Sequence, residues 1–339
     1  MNLLITGGGT GGHLAIAKAL KEAAAAKGIR CFYIGSTKGQ DRAWFADDTE
    51  FVRKVFLHTT GVVDKRGLAK IDALFKVLKS LFFVRNFIKK ERIDAVISVG
   101  GYSAAPAAFA AKLGKTPLFI HEQNAVSGRL NRMLRPYADA FFCSYDDASP
   151  LQDYPVAERF FDTARTRKKI DSVIFLGGSQ GARYINDLAL KLAKELQKRG
   201  LHVIHQCGEK EFARMQEAYA EIGVEVELYG FYDDLSRLLP KADLAISRAG
   251  ASTLWELCAN GLPALFIPYP YAASDHQYHN AKFLLTRNVA WCMREEEAVA
   301  DTILSLLDVS LHEKSESLRN LSGRGGAEKI INYISERSC

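Results

Sequence analysis

Short runs of apolar residues recur along the chain, separated by longer stretches in which apolar positions return every three or four residues. Residues 3–5 (LLI), 31–34 (CFYI), 95–99 (AVISV), 118–120 (LFI) and 140–143 (AFFC) form a first series. A second follows at 173–176 (VIFL), 203–205 (VIH), 224–226 (VEV), 244–246 (LAI) and 264–267 (ALFI). Runs this short, with little alternation of apolar and polar, are what parallel strands look like when helices cover both faces of the sheet. The pattern predicts two α/β domains in tandem. Residues 144–169, between the two series, hold no sustained period and two prolines, which places the boundary there and gives expected domains 1–155 and 156–339.

Each series opens alike, with a strand running into a glycine loop and then a helix: residues 3–5 before Gly7, and 173–176 before "GGSQGA" at 177–182. Open parallel sheets bind ligands outside the carboxyl ends of their strands, so two such sheets facing each other would enclose a cleft. The chain's 339 residues, 48% of them apolar, suit two cores of ~150 residues each. Its six cysteines are scattered, with no C-x-x-C pair, and are expected to be packing residues. The opening residues lack a basic and apolar leader, and no stretch approaches the ~20 apolar residues of a membrane span, so the chain is expected in the cytosol. The net charge of +6 is concentrated: residues 65–92 carry nine Lys/Arg against Asp72 and Glu91, and the rest is close to neutral. One local basic surface argues for an anionic surface as partner and against general nucleic-acid binding.

Gly7, Gly9 and Gly12 satisfy G-x-G-x-x-G after a strand, a loop whose amides and following helix N-terminus favour a phosphate. A dinucleotide site also needs an acid at the end of the second strand, where this chain reads "IGST" at 34–37. NADP with Lys38 as a phosphate partner keeps an oxidoreductase as the second hypothesis. No G-x-x-x-x-G-K-[ST] is present, which argues against a P-loop phosphotransferase. "GGSQGA" would set the Ser179 hydroxyl at a helix start, though a plain tight turn uses the same residues. "SRAGASTLWE" at 247–256 follows another strand, with Ser252 and Thr253 placed to cap a helix. Glu256, one turn inside it, could accept both hydroxyls of a ribose or simply complement the helix dipole. In "PYPYAASDHQYHNA" (268–281), His276, Gln277, His279 and Asn280 suit sugar hydroxyls better than a metal, because no Cys and no carboxylate except Asp275 accompanies the histidines. There is no D-x-D pair either, so no metal and no other cofactor is expected, and a diphosphate would be neutralised by amides, hydroxyls and helix dipoles.

Taken in order, "TGGGTGGH" (6–13), "VGGYSAAP" (99–106), "HEQNAVSGRLNR" (121–132), "FLGGSQGAR" (175–183), "FYDDL" (231–235), "SRAGASTLWE" and "DHQYHNA" (275–281) resemble the bacterial MurG family, the UDP-N-acetylglucosamine:lipid I N-acetylglucosaminyltransferases of peptidoglycan synthesis. The matching pieces span nearly the whole chain. The resemblance implies a GT-B type fold, two Rossmann-like domains facing across a cleft, with the last helix able to pack back on the first domain. It puts UDP-N-acetylglucosamine mainly on the second domain and the lipid I acceptor on the first. Ser179 and the Ser252/Thr253 loop would face the diphosphate, Glu256 the ribose, and Tyr232 the uracil through its backbone, with Ala251, Leu254 and Trp255 also among the substrate-binding residues. Gln277 and Asn280 would address the sugar, while Thr10, Gly11, Gly12 and Asn124 would approach the donor from across the cleft. Two departures stand out. Proline common after the family's TGGH is absent here, where Leu14 follows His13. The family's linker "NPVR" reads "YPVAER", so either Arg159 takes over the arginine's role or that contact is absent.

The resemblance also implies an inverting displacement: the C4 hydroxyl of the acceptor N-acetylmuramic acid attacks the anomeric carbon as UDP leaves. Such a step needs positioning, stabilisation of the departing diphosphate and a base. His13, in the first turn of a helix that disfavours imidazolium, is the leading base and Glu122 the reserve, although each has a purely hydrogen-bonding role open to it. At 100° per residue, Leu74, Val77, Leu78, Leu81, Val84 and Ile88 share a face that could pack on a core, leaving Phe75, Phe82 and Phe83 near Lys79. Docking on anionic lipid at the cytoplasmic face of the inner membrane would use them, as would a second buried contact. Cell-wall synthesis proteins are further expected partners, and a non-catalytic nucleotide-sugar binder or a related glycolipid synthase stays open.

Overall fold

The computed structural model describes residues 1–58, 68–178, 182–232 and 234–338, with the backbone alone over 68–77. It divides into two compact units, Met1–Val156 with Gly325–Cys339, and Ala157–Arg324.

The first unit runs β1 (Asn2–Thr6), α1 (Gly11–Ala26), β2 (Arg30–Ser36), α2 (Asp41–Phe45), β3 (Arg53–Leu57), α3 (Leu68–Lys90), β4 (Ala95–Ser98), α4 (Ala105–Gly114), β5 (Leu118–Glu122), α5 (Arg129–Leu134) and β6 (Ala140–Cys143). Its sheet is ordered β3-β2-β1-β4-β5-β6 with every pair parallel. Leu3, Leu4 and Ile5 are fully buried, as expected of a central strand covered on both faces. Alanine and leucine dominate α1, which stops where Gly28 takes the left-handed conformation. Strand β3 escapes the sequence pattern because it is a half-exposed edge strand that opens on Arg53 and Lys54. In α3, Leu81, Val84, Phe87 and Ile88 enter the core. Leu78, expected on that face, is instead 44% exposed; the buried stripe is carried by Phe87, one residue before Ile88. The side chains of Leu74, Phe75 and Val77 lie outside the described residues.

The second unit runs α6 (Glu158–Asp162), β7 (Ser172–Leu176), α7 (Arg183–Lys198), β8 (His202–Gln206), α8 (Phe212–Ile222), β9 (Glu227–Tyr229), α9 (Leu235–Leu238), β10 (Leu244–Ser247), α10 (Ala251–Asn260), β11 (Ala264–Phe266), α11 (His276–Leu285), β12 (Trp291–Cys292), α12 (Ala300–Ser305) and α13 (His312–Leu321). The closing helix, α14 (Gly326–Arg337), belongs to the first unit, where Lys27 of α1 pairs with Glu328 and Asp153 with Lys329. The second sheet, β12-β11-β10-β7-β8-β9, is also parallel and repeats the order of the first. The strand expected at 224–226 sits at 227–229. Helix α8 ends on left-handed Gly223, Val224 packs beside Met215 and Tyr219, and pairing starts only where Ile204 meets Glu227. Both sheets thus have their reversal of strand order at the first and fourth strands, the place where such folds hold ligands.

Among the described residues, Cys31, Cys143, Cys207 and Cys258 are free and buried. None of the described helices is long and apolar enough to cross a membrane.

Candidate active site

In the first unit the β1 loop and the β4 loop meet at the reversal point. Gly8 N–H donates to the Gly100 carbonyl at 3.1 Å. A side chain at Gly7, whose φ is +116°, would strike that same carbonyl, so the close approach requires glycine. Gly9 N–H donates to Asp41 Oδ2 at 2.7 Å, while Asp41 Oδ1 accepts from Ser36 N–H at 2.8 Å and Tyr33 O–H at 3.0 Å. Tyr33 is hydrogen-bonded to the Gly7 carbonyl as well, at 2.7 Å. Asp41 is therefore the acid of this loop, fully buried and turned inward onto the amide that a dinucleotide phosphate would need. An acid sought on the ribose side misses it, since the four-residue gap after β2 carries no signal. This arrangement removes the support for the oxidoreductase alternative.

Thr10 stands at the N-cap of α1, yet its hydroxyl does not cap the helix. It meets His13 Nδ1 at 2.9 Å. The other ring nitrogen, Nε2, lies 3.0 Å from Gln123 Nε2. Gly100, at φ +94°, closes the other side: a Cβ there would come within 3.0 Å of His13 Nε2. Gly11 and Gly12 form the first residues of α1 next to this ring. The "HEQN" stretch, the last two residues of β5 and the first two after it, supplies the floor. His121 is buried and held neutral, its imidazole pushed down to about 3 by loss of water and by the neighbouring His13. Glu122 is buried with both oxygens occupied: Oε1 accepts from Asn124 N–H at 3.0 Å, and Oε2 from Gly128 N–H and Asn131 Nδ2 at 2.9 Å each. That pattern is a carboxylate organising a turn and presenting Asn124.

In the second unit the equivalent reversal point lies at the carboxyl ends of β7 and β10. Ser179 lies outside the described residues. Helix α10 starts at Ala251 with Gly250 as N-cap and no side-chain cap. Ser252 and Thr253 are thus the second and third helical residues, not caps. A helix leaves its first amides without helical partners, so those of Ala251, Ser252 and Thr253 point out of the helix start as an anion cradle. Leu254 and Trp255 do not belong to that cradle. Leu254 N–H already donates to the Gly250 carbonyl at 2.9 Å, and both side chains are buried in the core, Trp255 against the Phe283 ring.

Glu256 follows on the same helix, half-buried, and among the described residues its carboxylate accepts no hydrogen bond. Loss of water pushes it up to about 7, partly opposed by the Arg159 guanidinium. Arg159, on α6, also pairs with Asp234 at 3.3 Å. It therefore stands by both Glu256 and the turn that carries Tyr232, whose ring packs edge-on against Tyr229. Ahead of α11, Ser274 and Asp275 both take left-handed backbone at φ +53° and +50°, a strained lead-in of the kind found at ligand loops. Gln277 Oε1 accepts from Tyr269 N–H at 2.9 Å, which orients its amide along that loop. Asn280 departs from expectation: it is fully buried and donates to the Ala249 carbonyl at 3.2 Å, tying α11 to the approach of α10 instead of presenting an amide to a sugar. Among the described residues no three His, Cys, Asp or Glu side chains gather as a metal ion would require.

Two Rossmann-type units in one chain, each with a helix start at its strand-order reversal, make a fold of the GT-B class. Residues 3–143 match the glycosyltransferase family 28 N-terminal domain and residues 172–332 its C-terminal domain. The chain is 55% identical to the UDP-N-acetylglucosamine--N-acetylmuramyl-(pentapeptide) pyrophosphoryl-undecaprenol N-acetylglucosamine transferase of Sulfurimonas denitrificans, over 98% of each chain. It is 52% identical to the enzyme of the same name from Wolinella succinogenes, over 98% of this chain and 99% of that one. The crystal structure of Acinetobacter baumannii MurG superposes with a TM-score of 0.81 at 27% identity, covering 99% of both chains. The chain belongs to glycosyltransferase family 28 and, within it, to the MurG family.

Proposed function

We propose that this protein transfers N-acetylglucosamine from UDP-N-acetylglucosamine to the N-acetylmuramyl sugar of the undecaprenyl pyrophosphate acceptor, lipid I, forming lipid II. Family membership supports the reaction; the observation that carries its assignment to residues is Glu256. A half-buried carboxylate without a hydrogen bond among the described residues, one turn behind the N-terminal residues Ala251, Ser252 and Thr253 of α10, suits a nucleoside diphosphate. The ribose diol donates two hydrogen bonds to Glu256, and the diphosphate lies on the helix start. Arg159 supplies a cation beside them, Tyr232 offers its backbone to uracil, Gln277 meets the sugar, and Ser179 completes the cradle. On the first unit, Thr10, Gly11, Gly12 and Asn124 line the approach to His13, and Glu122 holds that wall in place.

The C4 hydroxyl of the acceptor sugar attacks the anomeric carbon from the face opposite UDP. His13 takes the hydroxyl proton as the new C–O bond forms, and the bond to the diphosphate breaks with its electron pair leaving on UDP. The product anomer is inverted. Stabilising the departing diphosphate falls to the α10 amides and Arg159.

The protein docks from the cytoplasmic side onto anionic lipid through α3. Phe82 and Phe83 are 61% and 46% exposed there, alongside Leu78, Lys79, Lys89 and Lys90. Aromatic wedges among lysines combine apolar insertion with attraction to acidic headgroups. Calorimetry with UDP-N-acetylglucosamine, UDP-galactose and NADPH, followed by turnover with a lipid I analogue, tests the whole reading. Binding of the first ligand alone and inverted product are expected; NADPH binding, or donor binding without turnover, would overturn it.

A further inference from the structure

The least satisfied region of the first unit lies against His13. Among the described residues, His121 Nδ1, Gln123 Oε1 and Asn131 Oδ1 are all buried with no hydrogen-bond partner. Of these, Gln123 touches the imidazole directly, its amide nitrogen 3.0 Å from His13 Nε2. An amide nitrogen only donates, so Nε2 in this arrangement carries the lone pair, and Nδ1 carries the hydrogen, given to Thr10 Oγ1 at 2.9 Å. A protonated imidazole has no lone pair at Nε2 and would face the amide nitrogen donor to donor. The same side chain, turned over, presents Oε1, the atom now left without a partner. Glycine at 100 leaves room for the ring here, since a Cβ there would come within 3.0 Å of His13 Nε2.

We propose that Gln123 is a positioning residue for His13: it sets the tautomer that leaves Nε2 basic, and its amide turns over to accept from Nε2–H once the ring is protonated. This rests on the assignment of His13 as the base. In the reaction the acceptor hydroxyl displaces the amide from the Nε2 lone pair. The proton moves to Nε2 as oxygen bonds the anomeric carbon and UDP departs with its electron pair. Gln123 Oε1 then holds the imidazolium until the proton is lost to water. The titratable groups on the elements packed here are His121 on β5, which interacts electrostatically with His13, Glu122 next to it on the same strand, Asp41 on α2, bonded to Gly9 N–H in the loop before α1, and Tyr102 from the turn after β4, whose ring is near Gly9.

Histidine ring-nitrogen NMR on the full chain, with His13→Gln to assign the signal, tests the coupling. The wild type is expected as the Nδ1–H tautomer when neutral. Gln123→Leu gives mixed tautomers and a roughly tenfold lower kcat with donor KM held within about twofold. Gln123→Glu places a carboxylate on Nε2, and raises both the His13 titration and the acid limb of the kcat profile by about 1–3 pH units. An Nε2–H tautomer in the wild type, or a His13 titration unmoved by Gln123→Glu, overturns the proposal. Full turnover by His13→Gln, with the NMR coupling intact, sinks the base assignment alone.

Discussion

Replacing Glu256 by Gln removes a carboxylate that burial pushes up to about 7, and the consequences follow from proton linkage. Only the ionised form accepts both ribose hydroxyls, so donor affinity is reduced by the fraction of protein protonated there. For a group titrating at about 7 the reduction is about elevenfold at pH 6, about twofold at pH 7 and about 1.1-fold at pH 8. Affinity for UDP-N-acetylglucosamine, whose diphosphate does not titrate in this range, is therefore expected to rise about tenfold from pH 6 to 8, about 1.4 kcal/mol, and then level off. Binding at pH 7 should release roughly half a proton. Glu256→Gln loses the charge-assisted bonds, ~1.5–3 kcal/mol, and flattens the pH dependence. Stability moves the other way. A carboxyl raised in the folded state binds its proton more tightly there than when unfolded, so stability falls as pH rises from about 4.5 to 7. The variant escapes that penalty and should be more stable at pH 8 by ~2 kcal/mol, after discounting for partial exposure. Calorimetry in buffers of different ionisation enthalpy, with thermal melts alongside, provides the readout. A pH-independent wild-type affinity with no proton release, or a Glu256→Gln protein that binds the donor normally, would refute the ribose assignment.

The remaining predictions probe the other elements. His13→Ala is expected to lower kcat by ~10²-fold or more while leaving donor binding intact, measured by turnover and calorimetry on one preparation. Gly100→Ala puts a methyl group 3.0 Å from His13 Nε2 at a φ of +94°; it should cost ~1–2 kcal/mol in denaturant unfolding and lower kcat well before donor KM changes. Phe82→Ser with Phe83→Ser should weaken sedimentation with vesicles containing acidic phospholipid by about tenfold or more, leaving turnover on a detergent-solubilised acceptor analogue unchanged. Binding indifferent to acidic lipid, or unaffected by the double substitution, would remove α3 from membrane docking.

What the chain determined by itself was the local order of elements and the chemistry of the loops. Unalternated strands such as 3–5 and 173–176 can be read directly because burial on both faces demands a continuous apolar run. The glycine loop before His13 and the "SRAGASTLWE" stretch can be read because tight turns from a strand into a helix need particular residues at particular spacings. The edge strand β3 and two-residue β12 were not legible, since their pairing is paid in backbone hydrogen bonds that leave little apolar signature. Tertiary structure alone decided which polar groups are free to act. Glu122 and Asn280 look in sequence like ligand-binding groups, yet Glu122 is turned inward onto Asn124 and Gly128, and Asn280 onto Ala249, because a buried polar atom must find a partner and these backbone groups supply it. Gln123 and Arg159 gained their places the same way: the fold brings Gln123, distant in sequence, onto the His13 ring and Arg159 close to Glu256. Spacing along a chain records neighbours on one element; only packing between elements brings such pairs together.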